Sequence, residues 1–88
     1  MKTQFKSSFA KDLGSIKDKA VHEKVAKLIE LVEGALTLTA IPDLKKLRAK
    51  GSYYRVRLGD YRLGLTVKGD EITFIRCLHR REIYRYFP

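Results

Sequence analysis

Residues 53–67 read YYRVRLGDYRLGLTV, and this stretch decides the fold. Two runs of alternating, strand-forming residues flank Gly59-Asp60, a dipeptide with glycine first that suits a two-residue hairpin turn. A turn of this length fixes which residues face each other across the two strands. The predicted pairs are Leu58 with Tyr61, Arg57 with Arg62, Val56 with Leu63, Arg55 with Gly64 and Tyr54 with Leu65.

Because side chains alternate across a strand, this register sorts the hairpin and the strand after it into two faces. The apolar face is predicted to hold Tyr54, Val56, Leu58, Tyr61, Leu63, Leu65, Val67, Ile72, Phe74 and Leu78. The other face is predicted to hold Arg55, Arg57, Arg62, Gly64, Thr66, Thr73, Ile75, Cys77 and His79. Arg76 has the parity of a core residue, which a β-bulge or a place at the sheet edge would explain.

The pattern changes upstream and downstream of this hairpin. Gly69-Asp70 predicts a second tight turn before a last strand over residues 72–79. Upstream, apolar residues recur at helical spacing from about Ser7, and Asp18 suits the N-cap of a second helix. Lys2–Phe5 suits a short first strand. The sequence therefore predicts an α+β fold in one domain (residues 1–88), with an N-terminal helix hairpin packed on one face of a small antiparallel sheet and a short C-terminal tail.

Charge and cysteine content restrict the partners and the compartment. Nineteen Lys and Arg against ten Asp and Glu give a net charge of +9, which indicates nucleic acid or an acidic protein as the partner. Cys77 is the only cysteine, which excludes an intramolecular disulfide and a cysteine metal site and fits a reducing compartment. Because no signal-peptide core or membrane-length apolar run occurs, we expect a cytoplasmic protein without a membrane partner.

The arginine face suggests an anion site. Arg57 directly opposite Arg62 is a repulsive pair, and Gly64 would leave an open floor beside it, so we hypothesise that a phosphate lies between them. The alternative is long side chains that extend into water. Arginine phosphate contacts and tyrosine stacking surfaces for unpaired bases are also expected in the tail, from His79, Arg80, Arg81, Tyr84, Arg85 and Tyr86.

A second basic stretch precedes the hairpin. It consists of Lys45, Lys46, Arg48 and Lys50, arranged around Leu44 and Leu47 in a possible strand that ends at Gly51. At a strand edge, lysines of this kind discourage pairing with other chains.

These motifs together resemble the RelE/ParE toxin superfamily. The resemblance covers nearly the whole chain and rests on residues 53–62 (YYRVRLGDYR) and residues 78–84 (LHRREIY). The first motif is shared by RNA-cleaving and non-cleaving members, whereas the tail resembles the RelE-like ribonuclease branch of type II toxin–antitoxin systems. By position, the resemblance assigns catalytic roles to Arg55, Arg57, Arg62, Arg80 and Tyr84.

The resemblance implies a metal-free endoribonuclease without a cofactor that cleaves messenger RNA on the ribosome. The ribose 2′-hydroxyl would attack the adjacent phosphate and leave a cyclic phosphate, with Arg55, Arg57 and Arg62 stabilising the charge. Arg80 would protonate or neutralise the leaving oxygen, and Tyr84 would orient or deprotonate the 2′-hydroxyl. His79 is a second acid–base candidate. No acidic general base is evident on this face. The implied partners are an acidic antitoxin, messenger RNA and ribosomal RNA. Ribosomal RNA would bind at the basic stretch, for which protection of the strand edge is an equal alternative.

Two alternatives remain open on the sequence. One is a ParE-like inhibitor of DNA gyrase with the same fold, against which the cluster from Arg80 to Tyr84 argues. The other is a non-catalytic nucleic-acid-binding module, which explains the charge but not the arginines around Gly64.

Overall fold

The chain folds as two helices on one face of a sheet, with the tail on the other face. The structure, a computed structural model, describes residues 1–48 and 51–88. In chain order its elements are β1 (Lys2–Phe5), α1 (Ser7–Ser15), α2 (Lys19–Gly34), a 3-10 turn (Leu38–Ala40), β2 (Leu44–Lys46), β3 (Tyr53–Leu58), β4 (Tyr61–Lys68), β5 (Glu71–His79) and α3 (Ile83–Tyr86). The predicted α+β class and order of elements are confirmed.

The described residues form a five-stranded sheet in the order β1-β5-β4-β3-β2. Strands β2 to β5 pair antiparallel, but β1 pairs parallel to β5, so the sheet is mixed and not purely antiparallel as predicted. The helix pair α1–α2 leads the chain from β1 to the opposite edge of the sheet, where β2 lies. Strands β2 to β5 then lead it back, so that the last strand pairs with β1. The predicted basic strand is shorter than expected, since β2 ends at Lys46.

The β3–β4 hairpin has the predicted register at every pair from Tyr54–Leu65 to Leu58–Tyr61. Gly59 has a φ of +61°, and Asp60 is not among the residues with positive φ, which is the pattern of a type II′ turn. This turn matches the twist of the flanking strands, and it therefore fixes which side chains share a face.

A β-bulge interrupts the β4–β5 ladder and changes the faces of the last strand. Leu65 pairs with Phe74, but Gly64 pairs with Arg76, so Ile75 is the extra residue. The bulge moves Cys77 into the core opposite Leu63 and moves Leu78 to the arginine face opposite Arg62. The predictions for Cys77 and Leu78 are therefore wrong, and the parity of Arg76 is explained by the bulge.

The core lies between the sheet and the two helices. Its buried side chains include Phe9 of α1, Val25, Leu28 and Val32 of α2, and Val56, Leu63, Leu65, Ile72, Phe74 and Cys77 of the sheet. Asp18 caps α2, since its carboxylate accepts a hydrogen bond from the Ala20 N–H at 2.9 Å. The helices thus occupy one face of the sheet, and the opposite face carries the arginines.

Candidate functional site

The arginine face is built from side chains that the sheet register places opposite one another. Arg55 lies opposite Gly64, and Arg57 lies opposite Arg62, as the sequence predicts. These guanidinium groups therefore start from adjacent positions of one face. Their contacts nevertheless differ, and so do the roles that each can take.

Arg55 is buried and is held by two acceptors. Only 9% of the residue is exposed. Its Nη1 donates to the Asp43 carbonyl at 2.8 Å, and its Nε donates to the phenol oxygen of Tyr84 at 3.3 Å. Tyr84 itself is 61% exposed, so the hydrogen bond joins a fixed buried cation to an accessible phenol. The structure thus brings together a sheet residue and a tail residue, but Arg55 points at Tyr84 and not into open solvent.

Arg57 and Arg62 lean away from each other toward different acceptors. The Arg57 side chain is 56% exposed, and its Nη2 lies 3.9 Å from Oδ1 of Asp43. Arg62 donates from Nη1 to the carbonyl of Gly59 in the hairpin turn at 2.7 Å and to the carbonyl of Tyr61 at the start of β4 at 2.8 Å. These contacts use only part of each guanidinium, because each carries five N–H donors.

Asp43 is a residue of this face that the sequence reasoning missed. Its carbonyl accepts from the Arg55 side chain and from the Arg57 backbone N–H, and its carboxylate lies near the Arg57 guanidinium. Its φ of +58° is uncommon for a residue other than glycine and is often found at functional positions. The Pro42-Asp43 turn signal was visible in the sequence, but its pairing with the β3 arginines depends on the fold. Asp43 thus places a carboxylate beside a face on which the sequence showed no evident acidic general base.

The start of the tail binds back to the hairpin turn. The Arg80 N–H donates to the Asp60 carbonyl at 2.7 Å, and Arg80 Nε lies 4.0 Å from the Asp60 carboxylate. Arg80 and Arg62 are therefore both anchored to the same two-residue turn. Arg80 remains 55% exposed and is accessible to a ligand.

The structure places His79, Arg81 and Arg85 apart from the contact between Arg55 and Tyr84. His79 was predicted on the arginine face, but the bulge sets it opposite Tyr61, where the two rings pack edge to face at 5.7 Å. The Arg81 side chain is exposed, and the backbone N–H of Arg81 donates to His79 Nδ1 at 3.2 Å. Arg85 Nη1 lies 3.7 Å from Glu82 Oε2 within the tail.

Gly64 is not the open floor that the sequence suggested. The tail crosses the sheet and seats Phe87 on this glycine, so that a Cβ atom added at Gly64 would lie 2.7–2.8 Å from the Phe87 ring. Phe87 is 3% exposed and packs edge-on against Tyr53 at 5.6 Å. The absent side chain therefore makes room for the tail and not for a phosphate.

Comparison with known proteins decides the family. The family model described as ParE toxin of type II toxin-antitoxin system, parDE, matches residues 4–84. A curated relative, toxin RelE3 of Methanocaldococcus jannaschii, is 39% identical over 89 residues and covers 100% of both chains. The chain belongs to the RelE/ParE toxin superfamily.

Solved structures agree with this membership. The RelB–RelE antitoxin–toxin complex from Methanococcus jannaschii matches 97% of this chain and 99% of its own, with a TM-score of 0.82 and 38% identity. The archaeal RelE–RelB complex from Pyrococcus horikoshii OT3 matches 93% and 97% of the two chains, with a TM-score of 0.74 and 24% identity, and shows the shared fold. The protein is thus a type II toxin of the RelE family, in agreement with the resemblance in its sequence.

The basic stretch of this RelE-family toxin lies at the edge of its sheet. Lys45 pairs with Arg55, whereas Lys46 pairs with Tyr54, so the two lysines project from opposite faces. Both are exposed, as is Arg48, and Lys50 lies outside the described residues. Lys45 therefore extends the arginine face, while Lys46 does not.

Two further observations concern the described part of the toxin. Within it, no group of three or more His, Cys, Asp or Glu side chains is arranged to hold a metal ion. None of the helices in that part is both long enough and apolar enough to cross a membrane.

Proposed function

We propose that this RelE-family toxin is an endoribonuclease that cleaves messenger RNA. The observation that carries the proposal is the contact between Arg55 and Tyr84, which joins an exposed phenol to a sheet face that also presents Arg57 and Arg62. A phenol oriented by a fixed cation, beside guanidinium groups with free donors, suits a reaction in which charge develops on a phosphate.

The proposed reaction needs no group beyond the RNA and these side chains. The ribose 2′-oxygen forms a bond to the adjacent phosphorus, and the bond from phosphorus to the 5′-oxygen breaks. The products are a cyclic phosphate and a 5′-hydroxyl. Tyr84 orients or deprotonates the 2′-hydroxyl, and Arg57 and Arg62 stabilise the phosphate charge. Arg80 protonates or neutralises the leaving 5′-oxygen, so the proton lost from the 2′-oxygen is balanced by the proton that the 5′-oxygen gains. Arg55, which is buried under Tyr84, acts by fixing the phenol.

The substrate is proposed to be a message held on the ribosome. The exposed cations Lys45, Lys46, Arg48, Arg81 and Arg85 supply nonspecific contacts to RNA phosphates, and Lys50 is proposed to join them. His79 lies at the start of the tail and would contact the same RNA. An expected consequence is binding that weakens steeply with salt, because each phosphate contact releases counterions.

An acidic antitoxin is the proposed protein partner. The net charge of +9 favours such a partner, and the relatives from Methanococcus jannaschii and Pyrococcus horikoshii are described as complexes of RelE with RelB. We expect a segment of the antitoxin that folds on binding to cover the helix pair or the sheet. Co-expression with the neighbouring open reading frame should restore growth. Failure of both adjacent frames to do so would contradict the proposed pairing.

The test of the ribonuclease is a comparison of two assays on the same protein. Message cleavage is mapped in a translating extract, and supercoiling by DNA gyrase is measured in parallel. We expect cleavage with uninhibited gyrase. Inhibited supercoiling without cleavage would favour the ParE-like alternative, which the family match to ParE toxin keeps in view. RNA binding without either effect would favour a binding module.

Variants then separate chemistry from binding. Tyr84→Phe removes one hydroxyl and no charge, so ribosome association should persist while cleavage falls by about 10²–10⁴-fold. Arg57→Gln should reduce cleavage, whereas the charge-matched control Lys27→Gln, on an exposed position of α2, should not. Unchanged cleavage in Tyr84→Phe would transfer the role of base to Asp43 or His79.

A further inference from the structure

One row of the sheet contacts all three aromatic residues of the tail. Arg55 of β3, Gly64 of β4 and Arg76 of β5 lie opposite one another across three neighbouring strands. We name these three residues the cross-sheet row. Arg55 donates to the Tyr84 phenol at 3.3 Å, and Gly64 lies under the Phe87 ring. Arg76 lies with its Cζ 5.6 Å from the centroid of the Tyr86 ring.

The β-bulge is the feature that completes this row. Without the extra residue, Ile75 would lie opposite Gly64, and Arg76 would point toward the helix side of the sheet. The bulge therefore replaces an aliphatic side chain with a guanidinium at the place where Tyr86 crosses the sheet. A planar cation suits this place because it is attracted to the face of an aromatic ring.

Arg76 is itself fixed by Asp12 of α1. Its Nε donates to Asp12 Oδ2 at 2.7 Å and its Nη2 donates to Oδ1 at 3.1 Å, which is a two-point contact between guanidinium and carboxylate. Asp12 Oδ2 also accepts from the Cys77 N–H at 3.0 Å. Only 25% of the Arg76 side chain and 12% of the Asp12 side chain are exposed, so the pair is largely shielded from solvent. This guanidinium is therefore committed to the protein and is not free to bind a phosphate.

The tail needs such a support. The helix α3 has four residues, Ile83–Tyr86, and a helix this short has no stability of its own. Its buried anchors, Ile83 and Phe87, fix the ends of the turn, but Tyr84 and Tyr86 are 61% and 53% exposed. The direction of these two rings is therefore set by their contacts with the cross-sheet row.

We propose that Asp12 and Arg76 are positioning residues of the toxin, which hold Tyr86 and thereby keep the phenol of Tyr84 at Arg55. The inference rests on the proposed catalytic role of Tyr84. Asp12 fixes Arg76, Arg76 fixes the Tyr86 ring, and the α3 turn transmits that position to Tyr84 two residues earlier. A displacement of about 1 Å at a reacting group can reduce a rate by about 10²-fold, so a distant contact of this kind has a measurable effect.

The test compares Tyr86→Leu with Tyr86→Phe, which keeps the aromatic ring over Arg76. Cleavage of a message on programmed ribosomes is followed under single-turnover conditions. We expect Tyr86→Leu to lower the maximal rate by about 10–10²-fold with little change in the half-saturating concentration, and Tyr86→Phe to retain the wild-type rate. Arg76→Lys, which keeps the charge beside Asp12 but not the planar group, should lie between them. A change confined to the half-saturating concentration would make Tyr86 an RNA-binding residue and would overturn the proposal.

A double-mutant cycle shows whether the effect passes through Tyr84. In a Tyr84→Phe background, Tyr86→Leu should have no further effect on the rate, because the phenol that it positions is gone. An equal loss in both backgrounds would overturn the proposal. If Tyr84→Phe alone leaves cleavage unchanged, the proposed role of Tyr84 in the reaction is wrong. Whether Arg76 holds the tail is then tested by hydrogen exchange. The Phe87 N–H, bonded to the Ile83 carbonyl at 2.8 Å, should then exchange faster with solvent in Tyr86→Leu than in Tyr86→Phe. Equal exchange would show that Arg76 does not hold the tail.

Discussion

Gly64→Ala is the substitution for which the structure gives the sharpest expectation. The added methyl group would lie 2.7–2.8 Å from three atoms of the Phe87 ring, a separation well inside van der Waals contact. These atoms belong to a residue that is 3% exposed and whose ring makes a T-shaped contact with Tyr53, so the ring has no open space beside it. Either the sheet or the tail must therefore move.

The size of the effect follows from the cost of overpacking. Forcing an extra methyl group into a close-packed site costs about 1–3 kcal/mol. For a domain of this size, 1 kcal/mol corresponds to a change in Tm of about 4–8 °C. We expect Gly64→Ala to lower Tm by about 5–20 °C. If the strain is relieved by releasing the tail, message cleavage should also fall at temperatures where the protein remains folded, because Tyr84 leaves Arg55.

The assay is thermal unfolding followed by circular dichroism, with Gly14→Ala as the matched control. Gly14 lies in α1, and a Cβ atom there would meet nothing within 4 Å. The control should therefore be neutral or stabilise the helix by up to about 1 kcal/mol. Replacing Phe87 by Leu in the Gly64→Ala background should recover part of the lost Tm. If Gly64→Ala and Gly14→Ala have the same Tm, Phe87 does not lie on Gly64 and the described path of the tail is wrong.

Three further predictions address other contacts. Arg62→Gln should lower Tm by a few degrees, because it removes hydrogen bonds to the Gly59 and Tyr61 carbonyls that contribute about 0.5–1.5 kcal/mol each. The same variant should abolish cleavage, and unchanged cleavage would mean that the phosphate binds elsewhere. Asp18→Ala should cost about 1 kcal/mol in urea unfolding through loss of the α2 cap, whereas Asp18→Asn should cost less, and equal losses would contradict a capping role. Burial raises the pKa of Cys77 from 9.0 to about 12, so the unfolded chain releases this proton above pH 9 while the folded chain keeps it. The free energy of unfolding should therefore fall as pH rises from 9 to 11, more steeply in the wild type than in Cys77→Ala, and parallel curves would contradict the shift.

The hairpin could be predicted from sequence because its register has a local cause. A two-residue turn with glycine first leaves one way of pairing the flanking residues, and every pair from Leu58–Tyr61 to Tyr54–Leu65 follows from it. The parallel partner of β1 has no such local cause. It depends on how the strands β2 to β5 bring the chain back across the sheet to β1, and the resulting contact joins residues about 70 positions apart.

The β-bulge in β5 could not be predicted from the alternation of side chains along the strand. Alternation placed Cys77 with the arginines and Leu78 in the core, and both assignments reversed because Ile75 adds one residue to β5. The signal was present as a conflict, since Arg76 had the parity of a core residue. A charged residue at an apparent core position argues for a shift in register, but it does not say which residue is the extra one. The contact between Phe87 and Gly64 could not be predicted locally either, because a glycine in a strand is equally consistent with an unoccupied surface.

The fold also distinguishes arginines that the sequence made equivalent. Alternation placed Arg55, Arg57 and Arg62 on one face, and each looked equally suited to a phosphate. Arg55 has the least surface for a ligand of the three, because it is 9% exposed and donates to Tyr84 and Asp43. Arg57 and Arg62 keep free donors, so they are the ones proposed to meet the substrate.

This division has a physical reason. A phosphate bound by mobile surface arginines must order their side chains as it binds, and this ordering weakens the interaction. A buried arginine that orders a tyrosine has already lost that freedom during folding. Arg55 and Arg76, on either side of Gly64, are both proposed to take this second role, one directly at Tyr84 and the other through Tyr86. The central sheet thus contacts the tail through Arg55 and Arg76, and Arg57 and Arg62 beside it are the groups proposed to stabilise the charge that develops on the phosphate.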